Sequence, residues 1–195
     1  MSAGHVASAL DRLAALAAAC KPLAPQIERV AARYVETLRA GGTLFFCGNG
    51  GSAADAQHLA TEYVVRYTAS RRALAAIALS TDSSVLTAAG NDLGFEQIFA
   101  RQVEALCRPG DVLVLHSTSG RSPNLVAAAR AARAGGVGTV AFVGQGGGPL
   151  ASEVDEAVAV PSSETSQIQV MQLALEHVVV ELVETALLSP GVRGA

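Results

Sequence analysis

Five short apolar runs, each ending at or beside a glycine, serine or proline, alternate along this chain with longer stretches of helical periodicity. The runs are TLFFCG (43–48), AAIALS (75–80), DVLVLHS (111–117), GTVAFVG (138–144) and EAVAVP (156–161). Continuous apolar runs of this length are typical of strands buried on both faces, and their alternation with helices indicates parallel pairing. The pattern predicts a three-layer α/β/α sandwich around a five-stranded parallel sheet.

Helical periodicity fills the gaps between these runs and also precedes the first of them. Apolar residues recur at helical spacing from Val6 to Ala17, and a second pattern covers about 24–40 before two glycines end it. The later helices are predicted at about 52–67, 83–89, 94–107, 122–135 and 165–188. We expect one domain over 1–195, with N-terminal helices in 1–40 and an α/β core in 41–188.

Two loops at the ends of predicted strands hold most of the groups that could bind a ligand. In open parallel sheets, ligands bind beyond the carboxyl ends of the strands, at the point where the strand order reverses. In a flavodoxin-like order the first and third strands are neighbours there. The loops CGNGGSAADAQH (47–58) and STSGRSPN (117–124) should therefore face one ligand.

The second loop has the features of an anion site. Hydroxyl groups of Ser117, Thr118, Ser119 and Ser122 surround Gly120 just before a predicted helix, whose free N–H groups and dipole favour negative charge. A phosphate monoester fits, whereas the lysine of a Walker A loop and a GxGxxG motif are lacking, which disfavours nucleoside triphosphates and dinucleotides. A serine-rich helix cap explains the same residues equally well.

The first loop leads into a helix with a stronger chemical signal. The glycines of GNGGS (48–52) allow backbone N–H groups to point at a sugar or a carbonyl group. His58 and Glu62 are four residues apart and share one helix face, so they could hold a divalent metal, or the carboxylate could shuttle a proton. A plain surface His–Glu pair is the ordinary alternative.

Several other polar positions have ordinary structural explanations when taken singly. His177 lies among apolar neighbours in the last helix, as a core histidine would, and Gln169 has no specificity of its own. Asn91 and Asp92 lie between short helical segments, where such residues usually cap or turn the chain. His116 ends the third strand and is expected in the wall of the crevice.

Composition excludes several classes of function. A net charge of −3, 4% aromatic residues and the lack of Trp disfavour nucleic acid as a partner. No apolar window is long enough for a membrane span, and three widely spaced cysteines predict neither a disulfide framework nor a zinc–thiolate cluster. We therefore expect a cytoplasmic protein without a membrane partner.

Four sequence blocks carry a resemblance to one protein family. The blocks are GNGGSAADAQHLATEYVVRY, STDSSVLTAAGNDLGFEQIFARQVEAL, GDVLVLHSTSGRSPN, and QIQ with LEHVVVELVE. In this order they resemble the sugar isomerase (SIS) domain in its phosphoheptose isomerase branch, over about 40–188. The resemblance implies a parallel α/β/α domain that assembles as a homotetramer, with active sites at subunit interfaces.

The resemblance also implies roles for single residues. The phosphate pocket corresponds to Ser117, Thr118, Ser119 and Ser122. The other substrate-binding positions correspond to Asn49, Gly50, Gly51, Ser52, Asn91, Asp92 and Gln169. The positions that bind zinc in metal-dependent members, one ion per site, match His58, Glu62, Gln169 and His177, of which Glu62 and His177 also match the acid/base pair.

Two features set this chain apart from the usual pattern. Many members read QExH from the matching glutamine, whereas this chain reads Gln169-Val170-Met171-Gln172 and so lacks a carboxylate and a histidine. His116 and Arg121 also replace the residues common there, which alters the rim of the phosphate pocket. In addition, Gln169 and His177 are about 12 Å apart along a straight helix, whereas ligands of one zinc lie within about 4 Å of each other.

The resemblance implies an aldose–ketose isomerase that converts sedoheptulose 7-phosphate to D-glycero-D-manno-heptose 7-phosphate through an enediol, for nucleotide-activated heptose synthesis. One alternative is a non-catalytic SIS protein that binds a replication initiator. That relative lacks the acidic and imidazole residues that Glu62 and His177 supply here. Another alternative is an isomerase for a different sugar phosphate.

Overall fold

A parallel sheet of five strands forms the centre of the molecule. The computed structural model describes residues 3–188, so 1–2 and 189–195 of the expected domain lie outside the described residues. The strands are β1 (Leu44–Gly48), β2 (Ala76–Ala78), β3 (Val112–Ser117), β4 (Gly138–Val143) and β5 (Glu156–Ala159). Their order is β2-β1-β3-β4-β5, which confirms the predicted flavodoxin-like arrangement.

Helices precede, connect and follow the strands. In chain order they are α1 (Ala3–Ala19), α2 (Ala24–Arg39), α3 (Gly51–Val64), α4 (Ser83–Asp92), α5 (Ala100–Leu106), α6 (Pro123–Ala134), α7 (Gly148–Ala151) and α8 (Thr165–Leu188). Local signals fix several of their ends. Asp82 caps α4 by accepting hydrogen bonds from the N–H groups of Ser84 and Val85, both at 3.0 Å.

The two faces of the sheet bury separate apolar cores. On one face, Leu44 and Phe46 of β1 and Val114 of β3 pack against α2, α3 and α8. On the other face, Phe45 of β1 and Leu115 of β3 pack against α5 and α6. Alternate residues of each strand therefore face different helices, and His116 is on the α2–α3–α8 side with Val114.

Several segments differ from the sequence-based expectation, among them the short helix α7, which was not predicted. The strand predicted at 75–80 pairs only over Ala76–Ala78, because β2 is an edge strand with a neighbour on one side. The helix predicted at 94–107 is divided into a 3₁₀ turn at Phe95–Gln97 and α5. Asn91 and Asp92 form the last turn of α4 and do not lie between helical segments.

Candidate functional site

The loops that follow β1 and β3 lie together, as predicted. Gly48 at the end of β1 is in register with His116 in β3, so both strands deliver their loops to the same edge of the sheet. The side chains of Asn49 and Asn124 join the loops by exchanging two amide hydrogen bonds of 2.8 and 2.9 Å. Asn124 is buried, and its contact with Asn49 was not predicted from the sequence.

The loop 117–122 forms a tight turn at the start of α6. The buried Ser117 hydroxyl accepts a hydrogen bond from Gly120 N–H at 3.0 Å, and the Ser119 hydroxyl accepts one from Arg121 N–H at 3.2 Å. Gly120 has a φ of +63°, and a Cβ there would overlap the carbonyl group of Gly147. The turn therefore requires glycine at this point.

The start of α6 suits an anion. Ser122 is the N-cap residue but its side chain makes no capping hydrogen bond, and the first turn of the helix has no acidic residue. Thr118, Ser119 and Ser122 are half-buried or exposed, so their hydroxyl groups are within reach of a ligand. Hydroxyls and unpaired N–H groups at a helix N-terminus together can hold a phosphate group.

Three predicted residues converge where α3 meets α8. His58 Nε2 lies 3.1 Å from Glu62 Oε1 and 3.2 Å from His177 Nε2, and the ligand atoms of all three lie within 4.8 Å of one another. His58 Nε2 carries at most one proton, so it cannot donate to both neighbours. Tetrahedral ligands at about 2.1 Å from a metal are roughly 3.4 Å apart, so the donor set fits a divalent cation.

Gln169, a residue of α8, contacts the first turn of α3. Its amide nitrogen is 3.5 Å from the Ser52 hydroxyl, and a side chain at Gly51 would occupy the space of the amide. Since α8 is one continuous helix from Thr165 to Leu188, Gln169 and His177 contact α3 at points more than a turn apart. The structure thus places Gln169 beside the GNGGS glycines, on the phosphate-loop side of the histidine cluster.

The remaining predicted residues lie in two places. Gly50 is the N-cap of α3, with a φ of +58°. Asn91 and Asp92 are exposed at the end of α4, where the Asn91 amide donates to the Asp92 carboxylate at 2.6 Å. In the part of the chain that is described, this hydrogen bond joins the two residues to each other and to none of the other predicted positions.

A buried ion pair lies under the site, and the sequence analysis did not find it. His116 Nε2 is 2.6 Å from Glu176 Oε2, and both side chains are almost fully buried. Burial alone would lower the pKa of His116, but the charge and hydrogen bond of the Glu176 carboxylate raise it. Burial raises the pKa of Glu176, and His116 offsets part of this change. The two groups therefore share one proton in the interior of the protein.

Asp55 lies near both the buried pair and the cluster on α3. It precedes His58 by one helical turn, and its Oδ2 atom is buried without a hydrogen-bond partner among the described residues. Burial raises the pKa of Asp55, and the nearby His116 and His58 partly counteract this. Its spacing of three and seven residues to His58 and Glu62 was the sequence signal that could have found it.

Comparisons with known proteins show the family to which the chain belongs. The model of the SIS domain matches residues 10–144. The chain belongs to the SIS domain family. Residues 10–144 of this SIS domain protein include the loops after β1 and β3 together with His58 and Glu62, while Gln169 and His177 lie beyond the match.

Curated relatives and solved structures extend the match. A phosphoheptose isomerase of Roseiflexus sp. (strain RS-1) is 56% identical over 164 residues, which cover 84% of this chain and 83% of that protein. Phosphoheptose isomerase of Akkermansia muciniphila is 53% identical over 162 residues, or 83% of this chain and 86% of that protein. The structure of phosphoheptose isomerase GmhA from Neisseria gonorrhoeae superposes with a TM-score of 0.89 at 37% identity, over 93% of this chain and 98% of that one.

One further property of the SIS domain protein concerns membranes. Within residues 3–188, no helix combines the length and the apolar character that a bilayer crossing requires. The longest helix, α8, carries Glu176, Glu181 and Glu184.

Proposed function

We propose that this SIS domain protein is a phosphoheptose isomerase that converts sedoheptulose 7-phosphate to D-glycero-D-manno-heptose 7-phosphate, in nucleotide-activated heptose synthesis. One observation carries the proposal: the Glu62 carboxylate and the His177 imidazole both contact His58. His58 and Glu62 are on α3, the helix that starts beside the phosphate loop. The curated relatives, about half identical over most of their length, carry the same name.

Glu62 and His177 are our acid/base pair. Aldose–ketose isomerisation moves a proton between C1 and C2 through an enediol, so one group must abstract a proton and another must donate one. A carboxylate and an imidazole, 3.1 and 3.2 Å from the same His58 nitrogen, can serve both carbons of a substrate lying across them. Glu62 would take the C1 proton of the ketose, while His177 would exchange protons with the C1 and C2 oxygens.

The phosphate end of the substrate would bind at the loop 117–122. The hydroxyl groups of Thr118, Ser119 and Ser122 would donate hydrogen bonds to the phosphate oxygens, together with the N–H groups of the first turn of α6. Ser52 and His58 are about 9 Å apart along α3. In an extended seven-carbon sugar the phosphate and the carbonyl group are separated by a similar distance. Binding of the phosphate at the loop would therefore position the reacting carbons at the cluster.

A zinc ion is the cofactor that we propose. His58, Glu62 and His177 would hold it, and two imidazole nitrogens with one carboxylate oxygen are a donor set that zinc accepts. When bound, zinc would stabilise negative charge on the C1 and C2 oxygens as a Lewis acid. We place Gln169 beside the sugar chain, where its amide faces the Ser52 hydroxyl. The resemblance to the family implies that Gln169 is also a zinc ligand, and a structure with bound zinc would test this.

We also propose a homotetramer that works in the cytoplasm. Val170, Val178 and Leu182 leave an apolar stripe exposed on α8, and Val178 and Leu182 line a groove between α1, α2 and α8. Burial of such a stripe in an interface is favourable. The three cysteines are free and buried, which suits a reducing compartment. Analytical ultracentrifugation of the purified chain tests the assembly.

The activity is tested with purified protein and sedoheptulose 7-phosphate, followed by NMR with and without zinc. We expect the aldose to form, and Glu62→Gln and His177→Ala to lower kcat by about 100- to 10,000-fold. Glu153→Gln and His5→Ala are matched controls, because both side chains lie away from the cluster. A lack of conversion under both conditions would refute the proposal, and conversion of a pentose or hexose phosphate instead would redirect it.

A further inference from the structure

The loop that follows α3 is held by one buried carboxylate. Glu184, on α8, accepts hydrogen bonds from the N–H groups of Tyr67, Thr68 and Ala69 at 3.3, 2.9 and 2.8 Å. The Thr68 hydroxyl donates to it at 2.7 Å and the Arg71 Nε at 2.9 Å. Glu184 is only 3% exposed, so this is an internal anchor and not a surface ion pair.

Arg71 connects the anchor to the helix that carries His58 and Glu62. Its two terminal nitrogens donate to the carbonyl oxygens of Glu62 and Tyr63, at 2.6 and 2.9 Å. These carbonyl groups belong to the last turn of α3, where backbone acceptors are left unpaired and a cation is favourable. The backbone of Glu62 is thus tied to Glu184 through one guanidinium group.

Tyr67 connects the same loop to the other side of the cluster. Its ring is stacked on the imidazole of His177, with centroids 5.7 Å apart and planes inclined by 21°. His177 also meets the His58 ring at 5.1 Å. One loop therefore contacts both halves of the cluster: the α8 half through an aromatic ring and the α3 half through Arg71.

We propose that Glu184 and Tyr67 are positioning residues for His177 and Glu62. The Glu184 carboxylate fixes the loop 65–75, and the loop holds the Tyr67 ring against one face of the His177 imidazole. The ring restricts the rotation of His177, so that its Nε2 atom stays directed at the His58–Glu62 pair. The catalytic consequence rests on the proposed function, but the stacking and its dependence on Glu184 do not.

The stacking is tested in the metal-free protein by NMR with 13Cε1-labelled histidine. The chain has four histidines, so the His177 signal can be assigned with a His177→Ala variant. A proton that lies over the face of an aromatic ring is shifted upfield by the ring current, and this is the effect expected for the stacked imidazole. We expect the His177 signal to move downfield in Tyr67→Leu and in Glu184→Gln, to stay close to its wild-type position in Tyr67→Phe, and the His5 signal to stay unchanged in all three.

The positioning role is tested by metal affinity and kinetics of the same variants. Groups that orient a metal ligand typically contribute 10- to 100-fold to affinity or activity. We expect Tyr67→Leu and Glu184→Gln to weaken Co²⁺ binding and to lower kcat by such factors, with a smaller change in KM. Tyr67→Phe should restore most of both. Glu153→Gln, which removes the ion pairs with Arg130 and Arg133, is the control.

Each outcome decides a separate point. An unmoved His177 signal in Tyr67→Leu would overturn the stacking. A moved signal with wild-type Co²⁺ affinity and kcat would overturn the positioning role. If the wild-type protein does not isomerise the sugar phosphate, the proposed function fails, while the NMR and Co²⁺ measurements still test the loop. Should Glu184→Gln not fold, Tyr67→Leu and Tyr67→Phe carry the test.

Discussion

Removal of His116 should destabilise the protein much more at pH 7 than at pH 5. In His116→Leu, Glu176 stays in an apolar interior without its partner, and its carboxyl group must take a proton to remain there. For a carboxyl with an ordinary pKa of about 4.3, protonation at pH 7 costs about 4 kcal/mol, at about 1.4 kcal/mol per pH unit. At pH 5 the same cost falls to about 1 kcal/mol.

The reverse substitution should behave differently. In Glu176→Leu, the imidazole of His116 can release its proton and remain buried as a neutral group, so the loss is that of a hydrogen bond, about 1–3 kcal/mol. In the double variant His116→Leu/Glu176→Leu both polar groups are gone. Since Glu176 Oε1 lacks a partner among the described residues, we expect the double variant to be close to the wild type in stability.

Urea unfolding at a fixed protein concentration measures these differences. With an m value of about 3 kcal/mol per molar urea, a loss of 4 kcal/mol lowers the midpoint by about 1.3 M. The midpoint of His116→Leu should therefore recover most of the wild-type value at pH 5. Equal losses at both pH values, or a double variant that is as unstable as the two single losses added together, would refute the account of a buried pair that shares one proton.

Three further predictions follow from single contacts. Burial opposes ionisation of Glu184, but hydrogen bonds from Thr68, Ala69 and Tyr67 lower its pKa from 4.5 to about 2. The stabilisation from the ionised carboxylate is complete above pH 4.5 and is lost as the pH falls towards 2. The difference in urea midpoint between the wild type and Glu184→Gln should therefore shrink over that range, and a constant difference would contradict this prediction. Gly120→Ala forces a residue with a side chain into a left-handed conformation, which costs about 1–2 kcal/mol, and the new methyl group would overlap the Gly147 carbonyl group. The affinity for inorganic phosphate, measured by calorimetry, should therefore decrease. An unchanged affinity would exclude the loop as the phosphate site. Asn49→Ala leaves the buried Asn124 amide unpaired at a cost of about 1–3 kcal/mol, and Asn49→Ala/Asn124→Ala should be no less stable than Asn49→Ala in thermal unfolding.

The sheet, and the edge where the two loops meet, could be predicted from the sequence because both depend on local patterns. The apolar runs indicated the number of strands, and the loops rich in serine, asparagine and glycine follow β1 and β3, which are neighbours in the sheet. His58 and Glu62 could be paired because four residues is one helical turn. These signals lie within a few residues of each other, so no knowledge of the tertiary structure was needed.

The partners of buried charges could not be predicted in the same way. His116 and Glu176 are 60 residues apart, and their contact depends on the rotation of α8 about its own axis. Glu184 and the loop after α3 are more than 110 residues apart in the sequence, and their contact depends on the same rotation of α8. The site of Gln169 was also beyond reach, because only the packing of α8 along α3 decides which end of α3 it touches.

The continuity of α8 makes its length part of the chemistry. Gln169, Glu176, His177 and Glu184 are carried by one helix without a break, so their relative directions are set only by the number of residues between them. Inserting a single alanine after Leu173 would turn the last three by about 100° relative to the first. Such an insertion, harmless in a surface loop, would force α8 to give up either the contact of the Gln169 amide or the contacts of the other three side chains.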